Sequence, residues 1–215
     1  LLKKKEEIFL EAIAYRAHPI IPTIFEILND KEIGQIKKIE STFGFKVRKV
    51  KKESRLFNKK VGGGAILDLG CYPLSFFNLF DKKKDIQVIK SNFELCETDV
   101  DIDGEISLKI DSKIDAIGKV SLRENLENKC RIHCENAIIT IPSPWLPGNK
   151  TFIEIETKSR YFKKLISSNK NVYQHLLEAS SVFFLKKEKK SKFLVGIDES
   201  LKISEIIDSW KNGRS

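Results

Sequence analysis

Asp68 and Tyr72 stand four residues apart in GGGAILDLGCYPLSFFNLF, the stretch from Gly62 to Phe80. On a helix that spacing puts a carboxylate and a phenol on one face, one turn above the other. Cys71 and Ser75 fall beside them, a polar strip in an otherwise apolar helix. A carboxylate among Ile66, Leu67, Leu69 and Leu74 is costly unless it is hydrogen-bonded or faces a polar cavity. The three glycines before it allow a sharp turn or the close approach of another group. An acid and a phenol at the mouth of such a loop point to proton transfer. The same residues also read structurally, with Asp68 as a helix N-cap and Tyr72 as a core aromatic whose hydroxyl finds an acceptor. Pro73 lacks an N–H and is expected to bend or interrupt the helix right after Tyr72.

The chain around this stretch has 215 residues, enough for one large domain or two small ones with a sizeable core. Its 41% hydrophobic and 32% charged composition is that of a soluble globular protein. No apolar run reaches the length of a membrane span, and Leu1–Leu10 is a short charged stretch rather than a signal peptide. Methionine is absent even at position 1, so the chain is expected to be a piece of a longer product.

The net charge of +9 is carried mostly by lysine, in KVRKVKK (Lys46–Lys52), Lys82–Lys84 and KKEKK (Lys186–Lys190). Such an excess can serve nucleic acid or an acidic membrane surface. Here the lysines are scattered over several expected turns and are not interleaved with aromatics. The joint richness in Lys, Ile, Asn and Phe is also what an AT-rich genome produces. Neither a membrane nor a nucleic-acid partner is expected. The four cysteines lack the spacing of a disulfide framework, which fits a reducing, cytoplasmic setting. Cys130, His133 and Cys134 invite a zinc reading, but on a strand the two cysteines share one face and His133 lies on the other.

In chain order, Ile8–Ala14 reads as a strand and Pro19–Asn29 as a helix with Ile20, Ile24, Ile27 and Leu28 at helical spacing. Ile36–Phe45 reads as a strand, and Lys46–Lys60 as a basic connection to the glycines. Beyond Phe80, strands are predicted over Ile86–Glu97, Gly104–Asp111, Ile114–Leu122, Asn128–Cys134, Ala137–Ile141 and Phe152–Thr157, split by turns such as Asp101–Gly104 and Pro142–Gly148. Strands in quick succession imply an antiparallel sheet. Two helices close the chain. Val172–Lys187 has apolar groups at Leu176, Leu177, Ala179 and Val182. Asp198–Lys211 opens with an Asp cap and points Leu201, Ile203, Ile206, Ile207 and Trp210 inward. No GxGxxG follows a strand, and no P-loop, GxSxG or HExxH occurs.

Four stretches, EAIAYRAHP (Glu11–Pro19), LNDKEIGQIKKIESTFGF (Leu28–Phe45), GGGAILDLGCYP (Gly62–Pro73) and DESLKISEIIDSW (Asp198–Trp210), resemble in order the Gfo/Idh/MocA oxidoreductases. Tyr72, where many members have histidine, looks like the glucose–fructose oxidoreductase and dihydrodiol dehydrogenase branch. The resemblance implies an α+β fold, a large open mostly antiparallel sheet with helices packed on one face. Residues 1–15 would be the last helix end and strand of a dinucleotide-binding Rossmann domain, and residues 16–215 a substrate-binding and dimerisation domain. It also implies hydride transfer between NAD or NADP and a carbon bearing a hydroxyl or carbonyl, on a sugar, polyol or cyclic diol.

By the same resemblance Tyr72 takes the proton donor and acceptor position, and Asp68 the acidic position beside it. A neighbouring lysine cation would lower the phenol pKa. Arg16 and His18 would face the cofactor or substrate cleft, with Arg16 touching the cofactor, and Arg55 would hold a substrate oxygen. Asp68, Tyr72, Arg16 and His18 are expected to converge on one concave surface open toward the amino terminus. The family's glycine fingerprint and its lysine-bearing motif lie upstream of Leu1, so this chain alone is expected to be inactive or nearly so. A homo-oligomer through the open sheet is expected. The competing reading is a non-enzymatic oligomerisation module of the same fold.

Overall fold

The computed structural model describes residues 9–186 and 193–213. After β1 (Leu10–Glu11) a single 3-10 turn (Ala14–Ala17) leads into α1 (Ile20–Leu28) and β2 (Ile36–Gly44). Two short 3-10 turns (Arg55–Phe57 and Lys59–Val61) precede α2 (Ala65–Leu69) and α3 (Cys71–Asn78). Seven strands follow: β3 (Ile86–Leu95), β4 (Asp101–Ile110), β5 (Ile114–Ser121), β6 (Lys129–Cys134), β7 (Ala137–Pro142), β8 (Lys150–Thr157) and β9 (Tyr161–Ser167). The described chain ends with α4 (Val172–Leu185), β10 (Val195–Gly196) and α5 (Ile197–Lys211).

The eight strands β2 to β9 form one open sheet in the order β3-β4-β5-β2-β6-β7-β8-β9. Every neighbouring pair is antiparallel except β2 with β5, where β2 slots in parallel, Ile39 opposite Ala116. Alternation decides the two faces. Ile39, Ile106, Leu108, Ala116, Ile132, Ile139, Ile153 and Ile155 are buried under the helices. The opposite face carries cross-strand ion pairs instead, Lys109 with Asp115 and Lys163 with Glu154. The fold is therefore α+β with helices on one face of a mostly antiparallel sheet.

Trp210 fastens α5 to that face. It is fully buried, donates from Nε1 to the Asn92 carbonyl at 3.1 Å, and its ring lies over Gly104. A Cβ at Gly104 would come within 2.9 Å of Ile66 and 3.2 Å of Trp210, so a strand glycine is needed where helix meets sheet.

Several elements differ from expectation. Only Leu10–Glu11 of the Ile8–Ala14 segment is strand, paired antiparallel with β10, and Ile8 lies outside the described residues, as do 1–7. Asp101–Gly104 is not a turn but the start of β4. The edge strand β9 was hidden by its lysines, which suit an exposed edge rather than a buried run. In α5 the N-cap position is Gly196 and Asp198 is inside the first turn, where its charge still favours the helix dipole. Leu201 is 43% exposed rather than inward, while Ile203, Ile206, Ile207 and Trp210 are buried as expected. The helix expected to run to Lys187 ends at Leu185, and most of KKEKK lies outside the described residues. On α4 the buried residues are Val172 and Phe183, leaving Leu177 and Val182 exposed.

Candidate active site

The glycines turn the chain onto α2 for steric reasons that can be named one by one. Gly62 sits in the left-handed region at φ 74° and closes the second 3-10 turn. A Cβ at Gly63 would meet three backbone atoms of residues 55–58 at 2.8 Å. Gly64 has φ 118°, and a Cβ there would lie 2.4 Å from the Asp101 carboxylate. That carboxylate accepts from the Ile66 N–H at 2.6 Å and so caps α2 from another strand. Asp101, not Asp68, is the acid that holds this helix start. The N–H groups of Gly63 and Gly64 donate to the carbonyls of Asn58 and Leu56, so the loop is a packed turn rather than a phosphate cradle.

The helical break comes earlier than Pro73 suggested. Gly70 separates α2 from α3 while keeping helical angles, and Pro73 falls in the first turn of α3, where its missing N–H disturbs nothing. A Cβ on Gly70 would meet the Ile66 carbonyl at 2.3 Å and Trp210 at 3.1 Å. Asp68 and Tyr72 thus sit on two consecutive helices joined at a glycine.

Tyr72 lies half-buried on an aromatic floor. Its ring is 5.1 Å from Phe43 and 5.9 Å from Trp145, both edge-on, and 6.3 Å from Tyr15 in a stacked arrangement. Trp145 is fixed by donating from Nε1 to the Thr42 carbonyl at 3.0 Å, and Tyr15 by its hydroxyl 2.7 Å from Ser75 Oγ. The Tyr72 backbone carbonyl accepts from Tyr15 and Ser75, and none of the hydrogen bonds among the described residues engages the Tyr72 hydroxyl. Burial raises the Tyr72 pKa, and Cys71, Tyr173 and Asp68 add to it. The lowering expected from a neighbouring lysine concerns the family's lysine-bearing motif, which this chain does not contain; among the described residues no lysine acts on the phenol. Cys71 is likewise pushed up to about 12 by burial and by Asp68, so it remains a thiol.

Asp68 is mostly buried and is paired with the guanidinium of Arg55. Arg16 and His18 are placed in the interior rather than on a surface shared with Asp68 and Tyr72. Arg16 is 2% exposed, with Nη1 donating to Glu199 at 2.6 Å and to the Ser75 carbonyl at 2.7 Å. It therefore ties the Ala14–Ala17 turn to α3 and α5. His18 accepts at Nδ1 from the Ile20 N–H at 3.1 Å, and its ring meets His175 edge-on at 5.2 Å. Burial lowers its pKa to about 4, with His175 adding to the effect. The site that emerges is Asp68, Arg55 and Tyr72 over Phe43, Trp145 and Tyr15. The three floor aromatics were missed from sequence; the one available signal was a lone tryptophan in a proline-flanked turn, PSPWLP. On β6, Cys130 lies against Ser41 at 3.3 Å and His133 against Glu40 at 2.7 Å, on opposite faces of the sheet.

A protein-family model described as the GFO/IDH/MocA C-terminal domain matches residues 21–140. The trans-1,2-dihydrobenzene-1,2-diol dehydrogenase of Xenopus tropicalis is 35% identical over 162 residues, 74% of this chain and 47% of that one. The D-xylose 1-dehydrogenase (NADP(+)) 2 of Haloferax volcanii is 31% identical over 71 residues, 33% of this chain and 21% of its own length. The chain spans about half the length of the Xenopus dihydrodiol dehydrogenases it matches. Among solved structures, KijD10, a 3-ketoreductase from Actinomadura kijaniata in complex with NADP and TDP-benzene, superposes with a TM-score of 0.86 at 17% identity, over 98% of this chain and 64% of that one. The aldose-aldose oxidoreductase of Caulobacter crescentus, complexed with glycerol, gives 0.83 at 16% identity, over 98% of this chain and 62% of its own. These two likenesses concern the fold.

Proposed function

Because this chain belongs to the GFO/IDH/MocA family, we propose that it forms the substrate-binding and acid–base part of an NAD(P)-dependent oxidoreductase acting on a sugar, polyol or cyclic diol. The observation that carries the reading is the Tyr72 phenol, half-buried against Phe43 with the Asp68 carboxylate of the preceding helix close enough to act on it. When bound, the nicotinamide would supply or accept the hydride. The described residues fit its reacting end only, since the glycine loop has its N–H groups bonded internally.

Tyr72 is the proton donor when a carbonyl is reduced and the acceptor when a hydroxyl is oxidised. Its raised pKa favours the donor role at neutral pH, because the phenol stays protonated. Asp68, held by Arg55, fixes the charge beside the phenol. Phe43, backed by the buried Trp145 and Tyr15, keeps water from one side of the phenol. Arg16 and His18 act as positioning residues, because their side chains are buried against α3, α4 and α5.

The competing module reading would be favoured by a broad apolar sheet face, whereas the exposed face carries matched ion pairs. Pairing of two copies through that face belongs to the same proposal as the enzyme. The test is turnover of trans-dihydrodiol and D-xylose with NADP by this chain joined to a nucleotide-binding domain, and by the same protein carrying Tyr72→Phe. Loss of a general acid–base group is expected to lower kcat about 10²–10⁴-fold with KM little changed. A Tyr72→Phe variant as fast as the parent would remove the assignment.

A further inference from the structure

Tyr173 stands in the first turn of α4, and the residues around it hold that turn in place. Asn171 Oδ1 accepts from the Tyr173 and Gln174 N–H groups, each at 3.0 Å, and Gln174 Oε1 accepts from the Asn171 N–H at 2.8 Å. This reciprocal pair is a capping box and sets the direction in which the chain enters α4. Val172 is buried in the core, and His175 Nε2 lies 2.8 Å from Ser168 Oγ. Residues three apart share a helix face, so Val172 and His175 seat the helix. Tyr173, about 100° further round, is left on its flank. It is 60% exposed.

The turn that receives α4 is the one that carries Tyr15. His175 meets the ring of His18, just beyond Ala14–Ala17, and shares with Ala17 the wall of one cavity. Tyr15, in the same turn, stacks on the Tyr72 ring at 6.3 Å. The start of α4 is thereby brought to the edge of the candidate site, and the Tyr173 phenol is near enough to oppose ionisation of Tyr72. Among the described residues both tyrosines hydrogen-bond through their backbones only, so neither hydroxyl is engaged and no bond joins the two. Each can donate and accept. A phenol that bonds only water exchanges that water for an incoming oxygen at little cost. Two such phenols with a gap between them suit two neighbouring oxygens on one molecule.

We propose that Tyr173 is a second substrate-binding hydroxyl, which takes the oxygen next to the reacting carbon so that a vicinal diol or α-hydroxy carbonyl bridges Tyr173 and Tyr72. This role rests on the proposed function for the reaction at Tyr72, and adds the contact that fixes which carbon reacts. Tyr173 moves no proton. A molecule with a single hydroxyl has nothing to offer it.

The first measurements use the chain itself, whose four tyrosines are followed by NMR with the ring Cζ isotopically labelled. Tyr173→Phe is expected to lower the pH at which Tyr72 titrates, because one opposing group is gone, with far-UV circular dichroism unchanged. An unmoved Tyr72 titration would show that the phenols are not neighbours and would overturn the proposal. The chain is also expected to bind trans-cyclohexane-1,2-diol about 3- to 10-fold more tightly than cyclohexanol, the range one neutral hydrogen bond spans, with the Tyr72 and Tyr173 signals moving together. In Tyr173→Phe the diol is expected to fall to the affinity of cyclohexanol, and cyclohexanol to bind as before. No binding of the diol, equal binding of the two by the parent, a Tyr173 signal that stays still, or a preference that survives Tyr173→Phe would each overturn the proposal.

Turnover separates the two readings. In this chain joined to a nucleotide-binding domain, Tyr173→Phe is expected to raise KM for trans-dihydrodiol about 3- to 10-fold with kcat little changed, where Tyr72→Phe lowers kcat. If Tyr72→Phe has no effect while Tyr173→Phe raises KM, the acid–base assignment fails alone. If Tyr72→Phe lowers kcat while Tyr173→Phe keeps the parent KM, the second hydroxyl fails alone.

Discussion

The guanidinium of Arg55 rests on the carboxylate of Asp68, so the acid on the helix before Tyr72 is an ion-pair partner inside the folded chain. Arg55 is 62% exposed and Asp68 18%, which makes the pair asymmetric in solvation. Water screens the arginine, so the pair contributes about 0–1 kcal/mol to stability. Arg55→Ala is expected to leave the urea midpoint nearly unchanged while lowering kcat/KM, with Arg55→Lys restoring part of it. A large drop in stability together with unchanged kinetics would assign the pair to folding instead.

Arg16 presents the opposite balance. Its guanidinium is buried against Glu199 and the Ser75 carbonyl, with Glu199 only 18% exposed. Removing the acid leaves an uncompensated interior charge, for which Glu199→Ala is expected to cost about 3–5 kcal/mol. Arg16→Met, which removes charge and keeps volume, is expected to cost less. Urea unfolding of both variants decides it, and equal losses would show that packing outweighs the charge.

Gly64 combines two constraints, a φ of 118° and the Asp101 carboxylate 2.4 Å from where a Cβ would sit. Gly64→Ala is expected to destabilise by at least about 1–3 kcal/mol from the backbone alone. In the background of Asp101→Ala the steric part should vanish and the backbone part remain. A double variant no less stable than Asp101→Ala would mean that the dihedral angle carries no strain.

His18 links stability to pH. Its folded pKa is lowered from 6.5 to about 4, first by burial and then by His175. In the unfolded chain the ring takes up a proton as pH falls below 6.5, whereas in the folded chain it stays neutral until about 4. Stability from this group is therefore full above pH 6.5, falls as the pH is lowered through that window, and loses nothing more below it. Urea midpoints from pH 7 to pH 4 are expected to drop less steeply for His18→Gln than for the parent. Parallel curves would place the acid sensitivity in another group.

Much of the fold could be read from local pattern. The strands β2 to β8 and the helix α1 follow from alternation, helical spacing and turn residues, all encoded within about ten neighbours. The edge strand β9 escaped because lysines replace its apolar alternation, which an edge tolerates. In the site, spacing alone put positions 68 and 72 on one helix face, whereas Gly70 divides that stretch into α2 and α3.

By itself, the sequence determined that a carboxylate and a phenol stand four residues apart beyond three glycines, and which strands alternate apolar with polar. Only the tertiary structure decided which neighbours those groups meet. Asp101 reaches from a strand 35 residues away to cap α2, Arg55 takes Asp68, Trp145 and Phe43 floor Tyr72, and Glu199 draws Arg16 inside. The physical reason is that a local pattern fixes the direction of a side chain along its own element, whereas burial, ion pairing and pKa depend on atoms delivered by chain segments far off in sequence.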